Sequence, residues 1–242
     1  MKRLKRTVCL LLLAALLLGA VPVAAEEAGP AKILIDQVYG GGGKGDTPIS
    51  NSFVELYNPN QEAVSLAGYT LACGGATLEL TGTVPAGGSF LVVGKAEETS
   101  DEYLTLDLPA ADQTWDLAID NKNYTVELSY GGTVLDSVTA DETVKAIKVS
   151  KQKSLKRIGH ADTDTNDDFQ IVVWEKAEVT VDEAYAAAYA PHNSQGTQGT
   201  VHGAVAEPVY TPVEAAGTCV TGYYDETALC SWSWRAATIP GP

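Results

Sequence analysis

The stretch Tyr124-Thr125-Val126-Glu127-Leu128-Ser129-Tyr130-Gly131-Gly132-Thr133-Val134-Leu135-Asp136-Ser137-Val138-Thr139 decides the fold class. Tyr124, Val126, Leu128 and Tyr130 project one way; Thr125, Glu127 and Ser129 project the other. Successive side chains of a strand point to opposite faces, so this alternation demands one buried and one wet face, as in an antiparallel sheet. Gly131-Gly132 supplies two residues for which positive φ carries no steric cost, which is what a two-residue hairpin turn requires. Residues 133–139 then read as the return strand.

Upstream of this hairpin, strand signals recur from residue 32 onward. Residues 32–39 are β-rich, and simple alternation puts Ile33, Ile35, Gln37 and Tyr39 on one face and Leu34, Asp36 and Val38 on the other. Residues 40–50 read as a loop that starts glycine-rich. Residues 53–57 alternate and stop at the turn cluster Asn58-Pro59-Asn60. Short strands at 69–73 and 77–80 flank Gly74-Gly75, and residues 82–88 form a turn region. Phe90-Leu91-Val92-Val93 is apolar throughout and fits a buried strand. Many short strands separated by turn signals predict an all-β sandwich or barrel. Downstream, only residues 181–190 read as helix, with Asp182 and Glu183 in the first turn and Pro191 beyond the end.

Residues 1–25 read as an export signal. Lys2, Arg3, Lys5 and Arg6 precede an apolar run from Val8 to Leu18, and Val23-Ala24-Ala25 offers small residues before a cut. The run is short for a membrane span. Residues 26–31 form a short linker and 32–194 the folded domain. Residues 195–206 are polar and Gly/Thr-rich and read as a second linker, and 207–242 as an incomplete or disordered tail. Removing the signal takes four of the 16 basic residues and none of the 31 acids, leaving 12 against 31, or −19. Such a surface repels phosphate backbones and anionic membranes and suits a basic protein or a cation-bearing cell wall. Cys73, Cys219 and Cys230 remain after cleavage. An odd count is not a disulfide framework, and the pairing of Cys219 with Cys230 stays open.

Several motifs together resemble bacterial lamin-tail domains. Residues 33–41, Ile-Leu-Ile-Asp-Gln-Val-Tyr-Gly-Gly, lead to Phe53-Val54-Glu55-Leu56-Tyr57-Asn58-Pro59, similar to that family's I-x-E-V-Y strand and its F-V-E-L-Y-N. Val64-Ser65-Leu66-Ala67-Gly68-Tyr69, Ala86-Gly87-Gly88-Ser89-Phe90 and Val134-Leu135-Asp136-Ser137-Val138 match further motifs in order. So do Ser154-Leu155-Lys156-Arg157, the run Asp162 to Phe169, and Pro191-His192-Asn193-Ser194. Gln37 stands where the family has an acid, and Tyr69 where it has Trp. The resemblance implies an immunoglobulin-like β-sandwich of the lamin-tail type with one short C-terminal helix. It also implies a module of the kind appended to secreted nucleases and phosphoesterases in an adapter role. Residues 207–222 resemble the start of a chitobiase-type immunoglobulin-like repeat.

Candidate chemistry is sparse. The turn carrying Asp162, Asp164, Asn166, Asp167 and Asp168 offers alternating oxygens of the kind calcium takes, so Asp162, Asp164, Asn166 and Asp168 are candidate Ca2+ ligands. It lacks the sixth-position Gly and twelfth-position Glu of an EF-hand; Val173 stands at the latter. The competing reading is a solvated turn whose side chains cap backbone groups. The glycines of residues 40–45 do not open a helix with Lys-Ser/Thr, so no phosphate loop is expected. No nucleophile elbow or Cys/His metal spacing occurs, although counting acids does not exclude a glycosidase pair. Glu55 shares a face with Phe53 and Tyr57 and needs a partner; Arg157 is the candidate. Three functional expectations follow. The first is a secreted, non-catalytic binding or tethering module, needing no cofactor, that recognises a protein or cell-wall component. The second is the N-terminal part of a secreted nuclease or phosphoesterase whose catalytic domain lies elsewhere. The third is a cell-surface spacer.

Overall fold

The computed structural model describes residues 30–41, 45–96, 98–203, 211–213 and 222–224. Ten strands build two facing sheets: β1 (Leu34–Tyr39), β2 (Asn51–Tyr57), β3 (Tyr69–Cys73), β4 (Ala76–Glu79), β5 (Ser89–Ala96), β6 (Gln113–Thr114), β7 (Tyr124–Tyr130), β8 (Thr133–Ala140), β9 (Lys153–Arg157) and β10 (Phe169–Val173). One sheet runs β10-β9-β1-β2-β5-β6 and the other β8-β7-β3-β4. All neighbours are antiparallel except β5 and β6. The expected all-β sandwich is what forms.

The β7–β8 hairpin is as the alternation predicts. Tyr130 pairs with Thr133 across Gly131 (φ 56°) and Gly132 (φ 84°). Positive φ at both positions gives the turn whose twist matches its strands. A bulge in β8 leaves Leu135 unpaired, since Leu128 faces Asp136 and Ser129 faces Val134. That extra residue brings Asp136 into phase with buried Val138 and Ala140.

A second bulge corrects the expected facing of β1. Ile35 pairs with Leu56 but Gln37 with Glu55, so Asp36 is the extra residue. Alternation restarts there. Ile35 and Val38 face the core between the sheets, while Tyr39 joins the opposite face. The strand therefore buries all six of its residues, Asp36 and Gln37 included.

The six-stranded sheet has apolar packing on both faces. Between the sheets lie Val54, Leu56, Phe90, Val92 and Leu155 against Leu71, Val126 and Leu128. On the outer face Tyr39, Phe53, Leu91, Val172 and Trp174 form a second cluster with Ala186 and Ala190. The cover is α1 (Glu183–Tyr189), capped by Asp182, whose carboxylate accepts from the Tyr185 amide at 2.8 Å. Phe90 to Val93 reads as a continuous apolar run because both of its faces are covered.

The chain beyond α1 is packed against the domain through residue 203. Gln198 donates to the carbonyls of Ala186, Ala187 and Ala190, satisfying the end of α1. Thr200–Val201 pairs with Leu106–Asp107, and the His202 amide donates to the Thr105 carbonyl. The linker expected at 195–206 is thus packed structure through 203. Its polarity misleads because Gln198 caps the helix while Gln195, Thr197 and Thr200 stay exposed. Thr211–Val213 pairs with Gly222–Tyr224. The expected export signal, the chitobiase-like stretch apart from those two strands, and Cys219 and Cys230 lie outside the described residues. Among the described residues no helix is long and apolar enough to cross a membrane.

Candidate functional site

The outer face of the large sheet carries charge in the middle of its apolar cover. Alternation along β2 sends Glu55 outward with Phe53 and Tyr57, and alternation along β9 sends Lys156 outward with Ser154. The β1 bulge adds Asp36. Lys156 Nζ donates to Asp36 Oδ2 at 3.0 Å, to Gln37 Oε1 at 3.3 Å and to Glu55 Oε2 at 3.3 Å. Glu55 Oε1 accepts from the His192 amide at 3.0 Å, and the His192 ring lies 3.7 Å from the same oxygen. His160 Nδ1 is 2.8 Å from Asp36 Oδ1. Gln37 donates to Ser154 Oγ at 2.9 Å, which also accepts from the Trp174 indole at 3.0 Å.

The partner expected for Glu55 is therefore off by one residue. Lys156, not Arg157, faces it, because Arg157 shares the inward parity of Leu155. Burial opposes charge on both Asp36 and Lys156, but their contacts prevail. His160 and Lys156 hold the Asp36 carboxyl below its ordinary range, and Glu55 and Asp36 hold the Lys156 ammonium above its own.

Above this cluster opens a cavity of about 500 Å³. Asp36, Glu55 and Lys156 form its floor. Tyr57 and His160 make one wall, and the Ser89 and Asn193–Gly196 regions make the rim. Gly159 (φ 57°) and His160 (φ 56°) both adopt left-handed backbone just after β9. That turn lays the His160 ring flat on Tyr57, with centroids 3.5 Å apart and planes within 7°.

Arg157 does the opposite job, on the inner side. Its Nη2 donates to both oxygens of Asp136 at 2.9 and 2.7 Å, Nε to the Ile35 carbonyl at 3.0 Å, and Nη1 to the Ala161 carbonyl at 2.7 Å. Asp136 also accepts from the Ile35 amide at 2.7 Å. Arg157 and Asp136 are buried, and the guanidinium lies 4.5 Å from the Phe169 ring centroid. Burial pushes the Asp136 carboxyl up, against the pull of the Ile35 amide and Arg157. This clasp ties β8 of one sheet to β1 and β9 of the other.

The acidic turn holds its charges against cations already in the chain. Asp168 accepts from the Thr163 amide and hydroxyl, both at 2.7 Å, and lies 3.5 Å from Arg157. Asp162 pairs with Lys32 at 2.7 Å and sits 3.6 Å from Arg157. Asn166 begins a short 3-10 turn with Asp167 and Asp168, and Asp164 takes φ 57°. Among the described residues, no three His, Cys, Asp or Glu side chains converge as a metal cage. The structure thus brings Asp162 and Asp168 together around Arg157 and leaves Asp164 and Asn166 outside that set.

A second cavity, about 540 Å³, lies at one end of the sandwich beside Cys73, Asp120 and Tyr124. Burial raises the Cys73 thiol to about 11, which leaves little thiolate to act as a nucleophile.

The family model described as Lamin Tail Domain matches residues 26–142. The chain contains a lamin tail domain. No curated protein matches the chain. Lamin tail domains are immunoglobulin-like and non-catalytic as a family. The match spans β1 to β8 and ends before β9, yet β9 lies between β1 and β10 in the sheet. Lys156, Arg157, His160 and His192 all come from beyond the segment matched by the lamin tail domain. Both the cleft and the clasp are thus completed by the part of the chain that follows it.

Proposed function

We propose that the chain is an exported, non-catalytic binding or tethering module that recognises a protein or cell-wall component through the cleft over Asp36, Glu55 and Lys156. One observation carries this reading. The ionisable groups on the floor hold one another, with Lys156 donating to three acceptors and each carboxylate bonded on both oxygens. Recognition gains from side chains fixed in this way. Turnover would instead need a base or nucleophile left facing the substrate. The lamin tail match and the acid excess of the chain support an adapter role, in which the domain brings a larger secreted protein to its target. The test uses the purified 242-residue chain with isolated cell walls and with fractionated secreted proteins. Saturable retention by one of them is expected. Cleavage of DNA or a phosphoester by the chain supplied with divalent metal would overturn the reading, as would retention by neither.

A further inference from the structure

The cleft offers a ligand an unequal set of groups. Lys156 has three N–H bonds, and Asp36, Gln37 and Glu55 take all three. The lysine therefore has no proton to spare for an incoming anion. The carboxylates are in the reverse position. A carboxylate oxygen accepts about two hydrogen bonds. Among the described residues, Asp36 Oδ1 is bonded to His160, Glu55 Oε1 to the His192 amide, and Oδ2 and Oε2 to Lys156. With the histidines counted as neutral, two carboxylates face one ammonium, and the floor keeps a formal excess of one negative charge. The chain around it carries a formal −15.

Shape narrows the ligand further. Asp36 and Glu55 are 2% and 1% exposed, so their free lone pairs lie deep. A cation fixed directly on a ring would stop at the rim. A cation on a slim aliphatic stem reaches the floor, with its stem against Tyr57 and His160. The volume, about 500 Å³, suits one side chain and its neighbours.

We infer that the cleft receives an alkylammonium group on a flexible stem, namely a lysine side chain of a partner polypeptide. The inference rests on the binding-module reading and names its ligand. The ammonium shares the acceptors on Asp36 and Glu55 and neutralises the residual charge of the floor. The partner is a basic protein segment, in keeping with the acidity of this chain.

The experiment titrates the full-length chain with Nα-acetyl-lysine amide, with its Nε-acetylated form, and with glucosamine, followed by calorimetry and ligand-observed NMR. The lysine derivative binds and the Nε-acetylated form does not. Glu55→Gln weakens binding by about tenfold or more, the scale of losing a charge-assisted hydrogen bond. Ser89→Tyr fills the rim without touching the charged floor and abolishes binding, with melting temperature as the check on folding. Equal binding of the acetylated form, tighter binding of glucosamine, or affinity unchanged in the folded Ser89→Tyr chain overturns the inference. Retention on walls or secreted proteins, with no binding of the lysine derivative, refutes the lysine ligand alone and leaves the module reading standing.

Discussion

Breaking the clasp between the sheets gives the sharpest test of the fold. Asp136→Leu removes the acceptor of two Arg157 hydrogen bonds and of the Ile35 amide, and leaves a guanidinium 1% exposed without its main counter-charge. Removing one partner of a buried pair costs about 3–5 kcal/mol, because the other charge stays buried and uncompensated. In a domain of this size each kcal/mol shifts the melting temperature by about 2–4 °C, so a fall of about 6–20 °C is expected. The double replacement Asp136→Leu with Arg157→Met removes both charges. It should be less destabilising than Asp136→Leu alone, since hydrophobic replacement of a whole buried pair is often neutral or favourable. Thermal and urea unfolding followed by circular dichroism measure both variants. The exposed pair Lys122–Glu142 is the control, and Glu142→Gln should leave the midpoint nearly unchanged. A cost below about 1 kcal/mol for Asp136→Leu would refute the clasp, because that is the scale of a surface ion pair.

Trp174→Ala should cost about 3–5 kcal/mol, as for a large aromatic removed from a core, and a urea midpoint near wild type would show that the outer cluster does not belong to the folding unit. Asp36 has a folded pKa held below its ordinary value of 3.8, so ionisation favours the folded state. Its contribution is full above that value and is lost as pH falls through the lower folded value. The melting-temperature gap between wild type and Asp36→Asn should therefore be present at neutral pH and close in acid; a gap independent of pH would count against the network. Millimolar calcium should leave the melting temperature unchanged, because Asp162 and Asp168 already face Lys32 and Arg157. A calcium-dependent rise that Asp164→Asn removes would establish the site at Asp162, Asp164, Asn166 and Asp168 instead.

The parts of the fold legible in the sequence are those set by local rules. The β7–β8 hairpin follows from strict alternation and two adjacent glycines, and α1 from its cap and the proline beyond it. The cleft was less legible because it depends on register. A bulge at Asp36 reverses the facing of the residues after it, and nothing in the composition of residues 34–39 marks the extra residue. The same gap misassigned the partner of Glu55. Ser154, Leu155, Lys156 and Arg157 alternate plainly, but which parity faces Glu55 is decided only by pairing with β1. An apolar Leu155 between two polar neighbours was the available signal, since it assigns Arg157 to the inner side. The polar run after residue 194 misled for a different reason. Gln198 and Asn193 spend their amides on backbone groups, and sequence alone does not separate such capping from solvation.

Strand β9 joins these observations into one mechanical argument. Lys156 and Arg157 are adjacent, and the pleat sends them to opposite faces of the same sheet. One organises the floor of the cleft; the other holds the second sheet in place. Both also reach β1 around its bulge, Lys156 through Asp36 and Arg157 through the Ile35 carbonyl. A shift of β9 by one residue would exchange the two cations, setting Arg157 under the cleft and Lys156 in the clasp. A lysine's single nitrogen cannot bond Asp136, the Ile35 carbonyl and the Ala161 carbonyl at once, nor stack on Phe169. The register of β9 is thus fixed from the inner side by the demands of the guanidinium, and the geometry of the cleft follows from it. Stability and recognition are in that sense set by the same strand, β9, and substitutions that loosen the clasp should also blur the cleft.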